Sequence, residues 1–146
     1  MSLDHQEMKD KRKMKRLYDT SALLNLLLNK GSKSLSVLSG QAILDLTTYE
    51  IGNSIWKLSY LQKKITKTEA CTLLDACLKV MSSMKVLDIK DAEEDVKELS
   101  SDIGQSFYDS AYLVIAKKHN LELVTDDKKL QKAALGCKIK SSTSDK

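Results

Sequence analysis

FYDSAYLVIAKKHNLELVTDDKKL, residues 107 to 130, is the stretch whose reading decides the fold. Its first half has helical spacing: Phe107, Ala111, Val114 and Ile115 fall on one stripe and Tyr108, Tyr112 and Ile115 on a second. Asp109 sits between them, below Leu113 and Ala116. The spacing predicts a helix that is apolar almost all round, on which a carboxylate must be paired, metal-bound or protonated, because burying an isolated charge is costly. Asn120 suits a left-handed cap, Leu121 to Thr125 reads as a short buried strand, and Asp126 and Asp127 open another helix. Helix, strand, helix implies an α/β fold with a parallel sheet. In such sheets ligands gather beyond the carboxyl ends of the strands, which is where Thr125, Asp126 and Asp127 fall.

Upstream, the same alternation repeats. Arg16 to Asp19 is a strand candidate, and Thr20 or Ser21, or Asp19 itself, can cap a helix through Asn29 that carries Leu23, Leu24, Leu26, Leu27 and Leu28 around most of its circumference. Gly31 ends it, a weaker helix reaches Leu38, and Ala42 to Leu46 supplies a second strand after Gly40. Thr47 or Thr48 is expected to cap the next helix, to about Gln62, with Glu50 in its first turn. Ile51, Ile55 and Leu58 form one face of that helix and Tyr49, Trp56 and Tyr60 another, which is expected of a helix that meets the core on one side and a second subunit or a partner on the other, and equally of a helix simply buried deep. TKTE at Thr66 to Glu69 is a capping box for a helix to about Met84. Val86 to Ile89 is a third strand and Asp91 to Asp102 an acidic helix. Beyond Gly136, Cys137 to Lys140 reads as an edge strand.

At 146 residues the chain suffices for one domain with a real core. The expected division is a flexible basic arm over residues 1–14, the folded domain over 15–140, and a disordered tail over 141–146. The net charge of +4 comes mostly from the first sixteen residues, which hold six Lys or Arg against three acids, so the folded part is nearly neutral. That weighs against a broad basic face and leaves local patches or the arm for contact with nucleic acid. Cys71, Cys77 and Cys137 form no CxxC pair and are odd in number, which points away from a zinc site or disulfide framework and toward a reduced, cytoplasmic setting. No apolar run is long enough to span a bilayer, and Asp19 and Asn25 spoil any likeness to a secretory signal.

Asp19, Glu50 and Asp127 each follow the carboxyl end of a strand, so all three are expected over one edge of the sheet. Each also has an ordinary reading, as a helix cap or a complement to a helix N-terminus. Carboxylates about 4 Å apart repel by roughly 4 kcal/mol per pair at an effective dielectric near 20. A hard dication offsets that repulsion, and with Asp and Glu as donors Mg2+ or Mn2+ is expected rather than zinc or copper.

LYDTSALL with Asp19 and Ser21, TTYEIGNSIWKL with Glu50, FYDSAYLVIAKK with Asp109, and LVTDD with Thr125 and Asp127 together resemble the PIN-domain nucleases, in order and interval, from about Arg16 to Ile139. The nearest branch resembles the VapC toxins. That resemblance implies an α/β/α sandwich with strand order 3-2-1-4-5, in which the first and fourth strands adjoin and Asp19 lies beside Asp127. It implies a Mg2+-dependent endoribonuclease, homodimeric and restrained by a cognate antitoxin. Asp19, Glu50, Asp109 and Asp127 would be metal ligands or water activators, with Ser21 and Thr125 orienting them and Asp126 a possible further ligand. The long basic arm departs from the family pattern. Two other readings compete: a non-catalytic RNA-binding or regulatory relative, which the intact acid quartet opposes, and a phosphoryl-transfer domain, which Ser21 opposes by standing where a second acid is needed.

Overall fold

Five short parallel strands, none longer than three residues, carry the molecule, and the computed structural model describes residues 13–145. They are β1 (Arg16–Tyr18), β2 (Ala42–Leu44), β3 (Lys85–Leu87), β4 (Glu122–Val124) and β5 (Ser141–Ser142), ordered β3-β2-β1-β4-β5. Every pairing is parallel. The helices are α1 (Thr20–Lys30), α2 (Ser34–Leu38), α3 (Leu46–Trp56, continued by a π-helical turn over Lys57–Leu61), α4 (Lys67–Met81), α5 (Glu93–Ile103), α6 (Phe107–Lys118) and α7 (Lys128–Gly136).

Alternation along the strands divides the core. Tyr18, Ile43 and Val124 point to one face and pack with the leucines of α1, Ile51 and Ile55 of α3, and Cys77, Val80 and Met81 of α4. Leu17, Ala42, Leu44 and Leu123 point to the other and pack with Val96 of α5, Ala111 to Ala116 of α6, and Leu130 and Ala134 of α7. A sheet buried on both faces needs apolar residues at consecutive positions, as β1, β2 and β4 have. The result is the expected α/β/α sandwich with strand order 3-2-1-4-5. Leu23, Leu24, Leu26 and Leu27 are covered by the chain itself, and Leu28 is exposed. Their burial contributes on the order of 8 kcal/mol before entropy is counted.

Several boundaries differ from the sequence reading. The edge strand lies at Ser141–Ser142 rather than at residues 137–140, because Lys138 takes a left-handed turn (φ 59°) and Ile139 is spent on the core. The expected tail thus enters the sheet: Leu123 N–H donates to Lys140 O and Thr125 N–H to Ser142 O, both at 2.9 Å. Helix α3 starts at Leu46 with Asp45 as its cap, ahead of Thr47 and Thr48, which moves Glu50 from the first turn into the second. Helix α4 has the capping box on Thr66 and Glu69 and ends at Met81. Of the expected arm, residues 1–12 lie outside the described residues. Met14 packs on the core, and the buried Gln41 side chain accepts the N–H groups of Lys15 and Arg16 at 2.9 Å and donates to Lys13 O. Asn120 takes the left-handed conformation expected of it (φ 53°).

Candidate active site

The sheet's pairing runs past Tyr18 and Val124, with Asp19 N–H donating to Val124 O at 3.0 Å, so the first residues beyond β1 and β4 face each other. Asp19 is 6% exposed and caps α1: its Oδ1 accepts the Ala22 N–H at 2.9 Å and the Ser21 hydroxyl at 2.8 Å. Its Oδ2 accepts the Thr125 hydroxyl at 2.5 Å. The two hydroxyls do reciprocal work, because Ser21 Oγ in turn accepts the Asp126 N–H at 3.0 Å and Thr125 Oγ1 the Asp127 N–H at 3.1 Å. The turn after β4 is therefore fastened to the start of α1 through Asp19. Burial, opposed by those hydrogen bonds and reinforced by the charge of Asp126, pushes the Asp19 carboxyl up to about 6.

Glu50 reaches the same region from α3. Its Oε1 accepts two hydroxyls, Thr20 at 2.7 Å and Tyr112 at 2.8 Å, and Tyr112 Oη lies 2.7 Å from Thr47 Oγ1. Desolvation, then the Glu50 charge, hold the Tyr112 phenol far above its ordinary value, so it stays a proton donor. The sequence reading placed Tyr112 in an apolar stripe and took Thr20 only as a candidate helix cap. The signal available was a tyrosine, rather than phenylalanine, one turn after an aspartate.

Asp109 lies in the first turn of α6, where the Ser106 hydroxyl accepts its N–H at 3.0 Å. Its half-buried carboxylate accepts no hydrogen bond among the described residues, and desolvation together with the charges of Asp127 and Glu50 pushes its pKa up. The helix is less enclosed there than its sequence suggests, since Phe107 and Tyr108 are both substantially exposed. Asp127 caps α7, its Oδ1 accepting the Lys129 N–H at 2.9 Å. Two of the four acids are thus helix caps as well as members of the cluster.

Asp126 is differently employed. Its Oδ1 accepts the Ser144 N–H at 2.8 Å, and its Oδ2 accepts the Ser144 hydroxyl at 2.5 Å and the Asn25 amide at 2.8 Å. Burial raises its pKa, but the combined pull of Ser144 and Asn25 outweighs that and leaves it below the usual carboxylate range. Both oxygens are occupied in tying the end of the chain to α1.

The structure thus brings both Glu50 and Asp127 within electrostatic reach of Asp109 and joins Asp127 to Asp19 through Thr125. Among the described residues, ion pairs form only at Glu122, with Arg16 and Lys140 at the opposite edge of the sheet, so no cation side chain offsets the cluster. As the side chains stand, no three His, Cys, Asp or Glu residues among those described are close enough to enclose one ion. The donor chemistry nevertheless fits a hard dication: unpaired carboxylate oxygens, mutually repelling, at the switch point between β1 and β4. Cys77 is buried, and its thiol is pushed up to about 11 by burial, as suits packing rather than chemistry.

The described fold and this edge have known counterparts. A family model described as PIN domain matches residues 16–135. Exonuclease VapC9 of Pyrobaculum aerophilum is 36% identical over 89 residues, 61% of this chain and 63% of that protein, so the chain spans less than two thirds of its length. Ribonuclease VapC3 of the same organism is 27% identical over 122 residues, 80% of this chain and 92% of the relative. The crystal structure of PAE2754, also from Pyrobaculum aerophilum, superposes with a TM-score of 0.72 at 30% identity, covering 90% of each chain.

Proposed function

This chain belongs to the PIN domain family, and from that premise we propose that it is a VapC-type nuclease, a Mg2+-dependent endoribonuclease that hydrolyses internal phosphodiester bonds of single-stranded or loop RNA. The observation that supports the reading is the set of carboxylates along one sheet edge: Asp109 within reach of the Glu50 and Asp127 charges, Asp127 joined to Asp19 through Thr125, and none of these four acids in an ion pair among the described residues. Repulsion between such groups disfavours the fold unless something offsets it. When bound, Mg2+ or Mn2+ supplies that offset, Lewis acidity toward the phosphoryl oxygen and a lowered pKa for water.

The residues divide the remaining work. Asp19, Glu50, Asp109 and Asp127 hold the ion. Asp109, whose oxygens accept no hydrogen bond among the described residues, takes the proton of the attacking water. Ser21 and Thr125 hold the Asp19 carboxylate in one orientation. Because the folded part is nearly neutral, RNA affinity depends on the basic residues at the start of the chain and on a groove between two subunits. The exposed Tyr49, Trp56 and Tyr60 face of α3 and its π-helical turn is the surface offered to a second copy or to an antitoxin. Three unpaired cysteines support a cytoplasmic setting, and no helix among the described residues is long and apolar enough to cross a membrane.

End-labelled single-stranded RNA tests the reading. The expected result is cleavage in Mg2+, none in excess chelator, and a loss of about 100-fold or more in Asp19→Asn and Asp109→Asn protein. Internal fragments support the endonucleolytic reading, whereas a ladder shortened from one end supports the exonuclease reading suggested by the name of VapC9. RNA binding without cleavage and without metal uptake would return the chain to the class of non-catalytic RNA-binding proteins.

A further inference from the structure

We propose that Tyr112 is a positioning residue that fixes the rotamer of Glu50 and so sets the metal affinity of the site; the proposal rests on the nuclease reading above. The ring of Tyr112 belongs to the core, 1% exposed, and a phenylalanine would fill the same space. A buried hydroxyl is tolerated only where its hydrogen bonds are made, so the polar atom is there for what it touches. It touches two groups closely: Glu50 Oε1 at 2.8 Å and Thr47 Oγ1 at 2.7 Å.

The direction of the protons follows from valence. An ionised carboxylate only accepts, so the phenol proton goes to Glu50. The phenol oxygen is then an acceptor toward Thr47, whose hydroxyl has nothing else to donate to among the described residues. Thr20 donates to the same Oε1 at 2.7 Å. Two donors from two helices, α6 and α1, thereby pin one oxygen of a side chain with three rotatable bonds, while the other oxygen accepts no hydrogen bond among the described residues. The pinned oxygen is the anchor and the other is the one presented to the site. Thr20 adjoins Asp19, so the same clamp also ties Glu50 to the position of Asp19. Thr47, 0% exposed in the first turn of α3, completes the chain from the element that carries Glu50 itself.

Tyr112→Phe removes the hydroxyl and keeps the ring. Metal-free protein is titrated with Mn2+ alone, read by electron paramagnetic resonance, and RNA turnover is measured in parallel. The expected result is Mn2+ affinity weakened about ten-fold and kcat reduced by a similar factor, with KM for RNA unchanged. A hydroxyl that served only stability would lower the melting temperature and leave Mn2+ affinity where it was. Thr47→Val is expected to act in the same direction with smaller effect and Thr47→Ser to match the parent, and this pair decides the matter if Tyr112→Phe does not fold. Parent-like Mn2+ affinity and kcat in Tyr112→Phe would overturn the proposal and leave the nuclease reading intact. Mn2+ binding by a parent that cuts no RNA would overturn the nuclease reading, and the Mn2+ titration of the variants would still judge the clamp. A parent that binds no Mn2+ overturns both.

Discussion

Asp109 is a half-buried carboxylate with no hydrogen bond among the described residues and two like charges beside it, a costly arrangement for a residue whose only task is folding. Asp109→Asn is therefore expected to raise the melting temperature of metal-free protein while reducing RNA cleavage about 100-fold or more, and a fall in both would make Asp109 a structural group. Asp19 gives a pH signature. Its pKa, raised from 3.8 to about 6, means that the folded state binds this proton more tightly than the unfolded one. Its contribution is complete below about pH 4 and is lost as the pH rises through about 6. In chelator, the parent should lose stability relative to Asp19→Asn across that window, and the comparison cancels the opposite trend of Asp126; a difference that grows in the parent's favour would contradict it. Asp109 stood out because an aspartate on an apolar helix is chemically out of place, whereas Asp19, an ordinary helix cap taken alone, was singled out by its place past a strand end and by the resemblance. Tyr112 did not stand out, since its hydroxyl finds Glu50 62 positions away and a tyrosine in an apolar stripe looks like packing.

Helix α3 shows how far a helical wheel can be trusted. Ile51 and Ile55 are buried as the spacing requires, while Tyr49 and Tyr60 are 81% and 66% exposed and Trp56 stacks on Tyr60 at 5.6 Å. If that face covers a second copy, Tyr60→Glu should convert a dimer to monomer in sedimentation without changing the melting temperature of the monomer; a monomeric parent at high concentration removes the idea. The end of the chain was less legible. KIKSS lacks the apolar alternation of an interior strand, and what fixes β5 is a pair of backbone bonds to β4 and the Asp126 clasp on Ser144. Asp126→Ala is expected to cost about 2–3 kcal/mol of stability, for three hydrogen bonds to a charged group, with cleavage changed only a few-fold. Loss of activity at unchanged stability would restore Asp126 to the metal site.

At the scale of the whole molecule, the pattern of consecutive apolar residues and of helices between strands carried a parallel sheet covered on both faces, while the strand order came from the resemblance to the PIN-domain nucleases. The pattern did not carry the closing distances, because side-chain direction depends on caps such as Asp45, which begins α3 ahead of the expected residue and leaves Glu50 in the second turn rather than the first. What the fold supplies is a place beyond the carboxyl ends of the paired strands β1 and β4 where the capped starts of α1 and α7 are joined through Thr125 and acids with no cation partner among the described residues gather. The claim that this gathering is a site for one hard dication is tested most directly by titrating metal-free protein with Mn2+. Saturable binding is expected, weakened at least about ten-fold in each of Asp19→Asn, Glu50→Gln, Asp109→Asn and Asp127→Asn. A parent that takes up no Mn2+, or four variants that bind it as the parent does, would contradict the account.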